Sequence, residues 1–285
     1  MSAITINRAL SIGKKALQPI TQNHKNEVLW LLQKCLNINS DKLLLNGTKP
    51  LNRLENDKFN QFIERRCNRE PLQYILESID FYGYHFNISK DVFIPRAETE
   101  IFVDILKTES PHQNKVLEIG AGAGCIPITL QLEQLAYETL SIDINIKAIQ
   151  LSKKNAKQLG CSNIIFLVKD IFQMQHQSKY DLIISNPPYI PLTDINGLEP
   201  EVLLYDPLNA LTDYKDGLSF YKYFSQHGQN LLNKNGKMLF EFGGKQQCKQ
   251  ITELFNHTGY DCTIFNDLNN DPRFILVTLS VLFIF

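Results

Sequence analysis

The sequence predicts an α/β fold: a seven-stranded, mostly parallel sheet with flanking helices, preceded by a small helical bundle and a β-hairpin. Three observations predict it. Apolar residues recur at helical spacing over the first eighty residues, aromatic residues alternate from Phe81, and strand-like segments alternate with helical ones beyond Lys115. We therefore expect a helical domain over residues 1–80, a hairpin linker over 81–96 and an α/β domain over 97–285.

Three apolar stripes predict the helices of the first domain. Their members are Ile6, Ala9, Leu10 and Leu17, then Val28, Leu31, Leu32, Cys35 and Leu36, then Leu54, Phe59, Phe62 and Ile63. Arg65, Arg66 and Arg69 follow the third stripe. Such a run is by default a solvated helix face, and the alternative is a contact with an acidic partner.

Seven short segments predict the sheet, at residues 115–119, 138–142, 164–168, 180–185, 237–242, 261–265 and 274–279. The first five alternate with helical or loop segments, which indicates parallel strands. The last two complete the sheet and can include an antiparallel edge. The apolar tail that follows, residues 279–285, is expected to pack on the core.

Composition and charge limit the classes of function. The 285 residues include 29 Lys and Arg and 30 Asp and Glu, a formal charge of −1, so no overall basic field favours a nucleic-acid backbone as partner. The six cysteines form no Cys-x-x-Cys pair and the histidines no His-x-x-x-His pair, so no metal is expected. The start carries no signal segment, and the longest apolar stretch, residues 274–285, is shorter than the ~20 residues that span a bilayer. We expect a cytoplasmic monomer without membrane association.

Asn186-Pro187-Pro188-Tyr189 follows the predicted strand 180–185, at the end where open α/β sheets place their ligands. Each proline lacks a backbone donor, and Pro187 keeps Asn186 out of the helical region. The Asn186 side-chain oxygen and the Pro187 carbonyl are then available to accept from a planar NH₂ group, with Tyr189 over one face. Asn-Pro-Pro also forms ordinary turns, so this motif needs support from the rest of the chain.

A glycine-rich loop follows the predicted strand 115–119. Its residues Gly120, Ala121, Gly122, Ala123 and Gly124 allow a ligand to approach the backbone closely. The spacing is G-x-G-x-G, so the dinucleotide fingerprint G-x-G-x-x-G fits poorly.

Two aspartates end the next two predicted strands. Asp143 is placed to reach ribose hydroxyls, and Asp170 to accept from an adenine amino group, with Ile171 and Phe172 against the ring. Each aspartate alone is more often a helix cap or turn former. In strand order, however, the loop, both aspartates and Asn186 line one rim of the sheet, which predicts a nucleoside site beside an amide or amine site.

The order of these elements resembles class I S-adenosylmethionine-dependent methyltransferases, and the Asn186-to-Tyr189 motif resembles that of the amino-methylating subgroup. Further stretches resemble the protein glutamine methyltransferases that modify peptide chain release factors. These are Arg69-Glu70-Pro71-Leu72-Gln73-Tyr74-Ile75, Phe93-Ile94-Pro95-Arg96-Ala97-Glu98-Thr99-Glu100, Asp206-Pro207-Leu208, Ala210-Leu211 and Asp216-Gly217-Leu218. The chain departs from that family at Ala97, where a second proline is usual, and at Glu77, where a glycine is usual.

This resemblance implies a cofactor, a substrate and site residues. The cofactor would be S-adenosylmethionine, and the substrate the N5 amide of the glutamine in the Gly-Gly-Gln motif of class I release factors, which the helical domain would dock. The implied cofactor-binding residues are Glu118, Gly120, Ala121, Gly122, Ala123, Gly124, Asp143, Asp170, Ile171, Phe172 and Asn186. The implied catalytic residues are Asn186, Pro187, Pro188 and Tyr189, which would also contact the substrate together with Arg96.

Three alternatives remain open. The same chemistry on a ribosomal protein is the nearest, and the helical domain would decide it. Methylation of adenine N6 in nucleic acid uses the same acceptors, but the neutral charge and the lack of an obvious inserted target-recognition domain disfavour it, and we expect no stable nucleic-acid binding. A non-catalytic nucleoside-binding module is disfavoured by the intact Asn186-to-Tyr189 motif.

Overall fold

A computed structural model describes residues 4–174 and 178–280, which form two compact units. The first unit extends to Ile79 and also takes in Glu199–Tyr205, a segment far away in the sequence. The second contains Asp80–Leu198 and the residues from Asp206 onward. Residues 281–285 of the apolar tail lie outside the described residues, so the packing expected of the tail stays a prediction.

The helices are α1 (Ile6–Leu17), α2 (His24–Leu36), α3 (Ser40–Leu45), α4 (Arg53–Cys67), α5 (Leu72–Leu76), α6 (Ile101–Glu109), α7 (Cys125–Leu132), α8 (Ile146–Gln158), α9 (Pro200–Tyr205), α10 (Leu208–Leu211), α11 (Ser219–Leu231) and α12 (Lys245–Asn256). The strands are β1 (Ser78–Phe81), β2 (Tyr84–Asn87), β3 (Gln113–Ile119), β4 (Ala136–Asp143), β5 (Ile164–Val168), β6 (Tyr180–Ser185), β7 (Leu232–Glu241), β8 (Tyr260–Asn266) and β9 (Pro272–Leu279). Short 3₁₀ helices lie at Ala97–Glu100, Ile171–Gln173 and Leu192–Gly197. None of the helices in the described ranges is long and apolar enough to cross a membrane.

The first unit is the predicted helical bundle, with α1, α2 and α4 in mutual contact. Val28, Leu31 and Leu32 are fully buried between them. Leu54 was predicted to join this core and does not, since it is 80% exposed. Leu54 is five positions before Phe59, so its side chain lies about 140° around the helix from that of Phe59. Phe62 and Ile63, in contrast, lie on the same side of the helix as Phe59 and pack into the core.

Arg65, Arg66 and Arg69 do not form the solvated helix face that the sequence suggested. Arg66 is buried, and its Nε lies 2.7 Å from Glu27 Oε2 while Nη1 lies 3.2 Å from Glu201 Oε1. Arg69 Nη2 lies 3.1 Å from Glu201 Oε2. Arg65 pairs with Glu70 at 2.6 Å. The acidic partners of this run therefore belong to the same unit, and two of the pairs hold the Glu199–Tyr205 segment.

The hairpin consists of β1 and β2, joined by Tyr82 and Gly83. Both linking residues have positive φ, 50° and 78°, which is the backbone of a tight two-residue hairpin turn. The glycine supplies this conformation at no steric cost. The first strand begins at Ser78, slightly before the aromatic alternation that predicted the hairpin.

The second unit contains the predicted seven-stranded sheet, in the order β5-β4-β3-β6-β7-β9-β8. The pairs from β5 to β7 are parallel, and β9 pairs antiparallel with both β7 and β8. Alternate residues of the central strands enter two cores: Leu117 packs with the α11 and α12 side, and Val116 with the α6 and α7 side. Burial on both faces explains why the buried stretches Val116–Leu117 of β3 and Leu182–Ile184 of β6 are apolar at consecutive positions.

The strand order reverses between β3 and β6. From β3 the chain proceeds outward through β4 and β5, then returns to β6 on the other side of β3. The loops that leave β3 and β6 consequently diverge and open a crevice at the carboxyl ends of the strands, which is where such sheets bind ligands.

Candidate active site

A cleft opens at this crevice, with about 1050 Å³ of space that is partly open to solvent. The predicted site residues that line it are Glu118, Gly120, Ala121, Gly122, Ala123, Asp143, Asp170, Ile171, Asn186, Pro187 and Pro188. They come from the ends of four neighbouring strands. The structure therefore brings these residues together at one rim of the sheet, as the sequence predicts.

The glycine loop has a backbone that only glycine adopts easily. Gly120, Gly122 and Gly124 have φ of 84°, 54° and 82°. Gly124 is not part of the cleft lining, and its reason is packing: a Cβ there would lie 2.9 Å from the Cβ of Ser152. Gly120 and Gly122 leave the loop backbone accessible from the cleft. Gly124 lets the loop pack closely against α8.

Asn155 supports the same loop from α8 and was missed in the sequence. It is fully buried, and its Nδ2 donates to the carbonyls of Ala123, at 2.8 Å, and Asn87, at 3.0 Å. Its Oδ1 accepts from the backbone N–H of Asn87 at 2.9 Å. A polar residue in mid-helix gives no sequence signal for this role, because its contacts with Ala123 and Asn87 span 32 and 68 residues along the chain.

The Asp143 carboxylate, at the end of β4, binds the backbone of the glycine loop. Its Oδ2 accepts from Gly122 N–H at 3.0 Å and its Oδ1 from Asn145 N–H at 2.8 Å. Burial raises the pKa of Asp143, and these backbone donors oppose the rise. A carboxylate has about four lone-pair sites, so acceptor capacity is left for a pair of hydroxyl groups in the cleft.

At the end of β5, Asp170 and Ile171 line the cleft but Phe172 does not. Asp170 Oδ1 accepts from Phe172 N–H at 3.0 Å and so caps the short helix that follows. The Phe172 ring packs instead on Phe220, at 4.9 Å between centroids, and Phe220 is the ring that lines the cleft. The predicted contact of Phe172 with an adenine ring stays a prediction. Phe220 contributes an aromatic ring to the cleft wall that the sequence did not indicate.

Glu118 is buried in the cleft wall with one carboxylate oxygen, Oε2, accepting from the hydroxyl of Ser141. The other oxygen, Oε1, has no hydrogen-bond partner within the described part of the chain. Burial raises the pKa of Glu118 well above its ordinary value, the Ser141 hydrogen bond opposes this, and the nearby Asp143 adds to it. A buried carboxyl group with an unpartnered oxygen is placed to bind a cation or a hydrogen-bond donor in the cleft.

The Asn186 side chain is held by one specific contact. Its Nδ2 donates to Thr99 Oγ1 at 3.2 Å, and Thr99 in turn donates to Glu241 Oε2 at 2.8 Å. The amide nitrogen of Asn186 is thereby engaged on the protein side, which leaves Oδ1 as the acceptor for another partner. Pro187, next in the chain, lines the cleft and carries no N–H.

Tyr189 lies behind the cleft rather than in its lining. Its hydroxyl lies 3.4 Å from Glu241 Oε1, and its carbonyl accepts from Gln247 Nε2 at 2.7 Å. Gly217 packs on that carbonyl so closely that a Cβ would lie 2.1 Å from the oxygen. Burial raises the pKa of Tyr189 far above its ordinary value, so the hydroxyl stays protonated and can donate to Glu241. These contacts anchor the loop; the predicted cover of a substrate face by Tyr189 stays a prediction.

Arg96 also lies outside the cleft lining. Its Nη2 lies 2.5 Å from Asp206 Oδ2, and its guanidinium lies 4.7 Å from the centroid of the Phe93 ring. Phe93 lines the cleft, and so does Pro207, which follows Asp206 in the chain. Arg96 therefore braces two segments of the wall, and a direct contact with substrate stays a prediction.

Several parts of the site were not predicted from the sequence. Two further segments complete the wall: Asp91, Val92, Phe93 and Pro95 after the hairpin, and Pro207, Asn209 and Ala210 on and before α10. Thr99 lines the cleft as well. Glu241 ends β7 as Asp143 ends β4, and this shared position at a strand end is the signal that could have identified it.

The residues of the cleft fit S-adenosylmethionine, the cofactor that the resemblance implies. A positively charged ligand suits the unpartnered oxygen of Glu118. Asp143 and Asp170 offer acceptors at the ends of β4 and β5, and Ile171 offers an apolar surface between them and the core. The open backbone of the glycine loop completes the set of contacts that a charged nucleoside needs.

Comparisons with known proteins agree in both parts of the chain. The model of the PrmC N-terminal domain matches residues 8–76, and the model of the methyltransferase small domain matches residues 96–196. A crystal structure of a ribosomal protein L11 methylase from Lactobacillus delbrueckii subsp. bulgaricus aligns with a TM-score of 0.50 at 15% identity, covering 68% of this chain and 83% of that one. That likeness shows the methyltransferase fold alone.

Curated relatives are similar over nearly the whole chain. A bifunctional methyltransferase of Rickettsia bellii is 33% identical over 96% of this chain, which spans only 55% of that relative. A release factor glutamine methyltransferase of Geobacter sulfurreducens is 35% identical over 89% of each chain. At this identity and coverage, the protein belongs to the release factor glutamine methyltransferase family of S-adenosylmethionine-dependent enzymes.

Proposed function

We propose that this protein methylates the side-chain amide nitrogen of the glutamine in the Gly-Gly-Gln motif of class I peptide chain release factors. The observation that carries the proposal is the orientation of Asn186, whose nitrogen is bound to Thr99 and whose oxygen is left as an acceptor beside the cleft. A primary amide has two N–H donors in one plane, and Asn186 with the Pro187 carbonyl supplies two acceptors.

The amide nitrogen is a poor nucleophile because its lone pair is delocalised into the carbonyl, so positioning is the main contribution of the protein. When bound, S-adenosylmethionine supplies an electrophilic methyl group on a sulfonium. Holding two reactants in line can supply roughly 7–11 kcal/mol of the barrier. Asn186 and the Pro187 carbonyl would fix the nitrogen by both of its hydrogens.

The same two acceptors would stabilise the charge that develops during transfer. As the new carbon–nitrogen bond forms, the nitrogen becomes positive, and oxygens fixed against its hydrogens stabilise that charge without having to reorient. The nitrogen needs no base before attack, since it becomes acidic only as the bond forms. It then releases one proton to water, and the other product is a neutral thioether. Buried surroundings make these interactions stronger than in water.

The first unit is proposed to select the release factor, and a substrate that works on the ribosome would place the reaction in the cytoplasm. Support for the substrate comes from the match of residues 8–76 to the PrmC N-terminal domain and from the names of relatives at about one-third identity. Acceptors for a planar NH₂ group would also suit a ribosomal-protein glutamine or an adenine.

One experiment separates these substrates. The purified protein and isotopically labelled S-adenosylmethionine are incubated with a release factor, with a release factor whose loop glutamine is changed to alanine, with ribosomal proteins and with duplex DNA. Mass spectrometry then locates the label. Label on the loop glutamine of the unaltered release factor alone is the expected result; label on the altered factor, on DNA or on a ribosomal protein instead would contradict the proposal.

A further inference from the structure

Four side chains form a hydrogen-bonded series that runs from the cleft wall, where Asn186 and Thr99 lie, to Glu241 and Tyr189 behind it. Asn186 donates to Thr99 at 3.2 Å, Thr99 donates to Glu241 at 2.8 Å, and the Tyr189 hydroxyl approaches the other Glu241 oxygen at 3.4 Å. Thr99 and Glu241 are 3% and 2% exposed. The series joins β7 to the loop after β6 and to the 3₁₀ helix at Ala97–Glu100, so its geometry is fixed by three separate elements.

The direction of these hydrogen bonds determines which atom of Asn186 faces the substrate. A threonine hydroxyl has one hydrogen, and here that hydrogen is donated to Glu241. Thr99 can then only accept from Asn186, so the Asn186 amide must turn its NH₂ group toward Thr99. The reverse orientation would place two oxygens with no hydrogen between them in a buried site, which is unfavourable.

We propose that Thr99 and Glu241 are positioning residues which fix the orientation of the Asn186 amide, so that its oxygen is presented to the substrate. This inference rests on the proposed function, because the acceptor role of Asn186 belongs to it. A purely structural role, in which Thr99 and Glu241 only tie two segments together, would affect the stability of the fold and leave turnover unchanged.

The ionised form of Glu241 is the one that accepts from Thr99. Burial raises the pKa of Glu241 to about 7, while Thr99, Arg273 and Tyr189 oppose the rise and Glu98 adds to it. Tyr221 also faces this residue, donating to its backbone carbonyl at 2.6 Å. Below this pH the protonated carboxyl can donate to Thr99, which frees the threonine hydrogen for Asn186 Oδ1. We therefore expect kcat to rise as the pH increases through about 7.

The first test removes the hydroxyl while keeping the shape of the side chain. We expect Thr99→Val to lower kcat on the order of 10- to 100-fold, the range that a small misplacement of a reacting group can cause. The KM for release factor and the calorimetric affinity for S-adenosylmethionine should stay within about threefold. Thr99→Ser keeps the hydroxyl and should restore most of the lost turnover.

Thr129→Val is the matched control. Thr129 is fully buried, as Thr99 nearly is, but its hydroxyl has no hydrogen-bond partner within the described residues and it does not line the cleft. The same chemical change there should leave kcat within about threefold of wild type. A loss of kcat in Thr99→Val that Thr129→Val does not share is therefore due to the position of the hydroxyl.

The second test replaces the carboxylate by its neutral isostere. Glu241→Gln should lower kcat and flatten its rise with pH through about 7, because the glutamine amide does not ionise. Wild-type turnover and pH dependence in folded Glu241→Gln, together with wild-type turnover in Thr99→Val, would overturn the inference. If the wild-type protein labels no glutamine, the proposed function is wrong. If the wild-type protein labels glutamine but the variants behave like wild type, only the positioning role of Thr99 and Glu241 is wrong.

Discussion

At the scale of single residues, Asn186 bears the chemistry. We expect Asn186→Ala to lower kcat on the order of 100-fold, because losing one preorganised partner of a developing charge typically costs 10²–10³. Affinity for S-adenosylmethionine should change little, because the glycine loop, Glu118 and Asp143 are left in place. Single-turnover methyl transfer combined with calorimetry measures the two effects separately. Unchanged turnover would refute the acceptor role.

Substitution of Asp143 tests where the cofactor binds in the cleft. Hydrogen bonds to charged groups contribute about 1.5–3 kcal/mol, so Asp143→Ala should weaken S-adenosylmethionine binding by roughly 10- to 100-fold. Part of the loss would come from the glycine loop, since Gly122 N–H donates to this carboxylate. Asp143→Asn keeps one oxygen acceptor and should lose less. Calorimetry that finds wild-type affinity for Asp143→Ala would contradict the placement of the cofactor.

At the scale of elements, the end of α5 shows what the departure at Glu77 means. Glu77 follows the helix with φ of 58°, the left-handed conformation in which helices often end and which glycine adopts without strain. Its carboxylate pairs with Lys34 at 3.2 Å, but both side chains are exposed and such pairs contribute little. The backbone thus keeps the shape that suits glycine although the residue has changed.

We expect Glu77→Gly to raise the free energy of unfolding of the first unit by about 0.5–1 kcal/mol. Relief of the left-handed strain, about 1–2 kcal/mol, should exceed the lost ion pair and the greater flexibility of glycine in the unfolded chain. Denaturant unfolding measures the change. Glu77→Gln removes only the charge and should not stabilise; if it stabilises as much as glycine, backbone strain is not the cause.

The other departure has a simple structural outcome. Ala97 begins the 3₁₀ helix at Ala97–Glu100, and Arg96 before it is extended, with φ of −89° and ψ of 151°. This is the conformation that a residue before proline adopts, and proline is favoured at the first position of a helix. The segment therefore keeps a backbone that would accept proline, and alanine occupies it without disturbing Thr99 two residues later.

The sequence predicted the bounds of a strand well where most of its residues are apolar. The segments at residues 164–168 and 180–185 match β5 and β6 at both ends. β7 begins at Leu232, five residues before the predicted start at 237. Of those residues only Leu232 is apolar, and the four that follow include Asn235, whose φ is 65°, so the pattern indicated a turn. Pairing of Leu232 with Tyr180 of β6 nevertheless makes it the first residue of the strand.

The candidate site was predictable only where function lies at the end of a strand or in a compact motif. Asp143, Asp170 and Asn186 could be found because each lies at or just after the end of a predicted strand. Thr99 and Glu241 contact each other across 142 residues of sequence, and no local pattern encodes that contact. The ion pair of Arg66 with Glu201 was not predicted for the same reason, since the two residues are 135 positions apart in the sequence.

At the scale of the whole molecule, the first unit is built from two separate stretches of the chain. A cluster of buried charged side chains holds the second stretch, Glu199–Tyr205, in that unit. Arg66 contacts Glu27 from α2 and Glu201 from α9, and the Tyr205 hydroxyl donates to the carbonyl of Asn68 at 2.8 Å. The Asn186-to-Tyr189 motif lies ten residues before Glu199 in sequence. Ion pairs within the first unit thus fix a segment that follows the active-site loop along the chain.

Removing one partner of this cluster should destabilise the first unit strongly. Arg66→Met leaves Glu27 buried without its partner, and breaking a buried pair in this way costs about 3–5 kcal/mol. We expect hydrogen exchange to show lost protection in α1, α2 and α4, while β3 and β6 keep theirs, because the two units have separate cores. Equal loss of protection in both units would contradict that independence.

The double variant Arg66→Met with Glu27→Met separates the pair from the unpaired charge. Replacing a buried ion pair by apolar side chains of similar volume is often neutral or stabilising. Glu201 would keep Arg69 as its partner, at 3.1 Å. We therefore expect the double variant to recover most of the free energy of unfolding lost in Arg66→Met, as measured by denaturant unfolding. If both variants lose the same amount, the destabilisation comes from lost packing of the arginine stem and its other hydrogen bonds, and not from the charge left on Glu27.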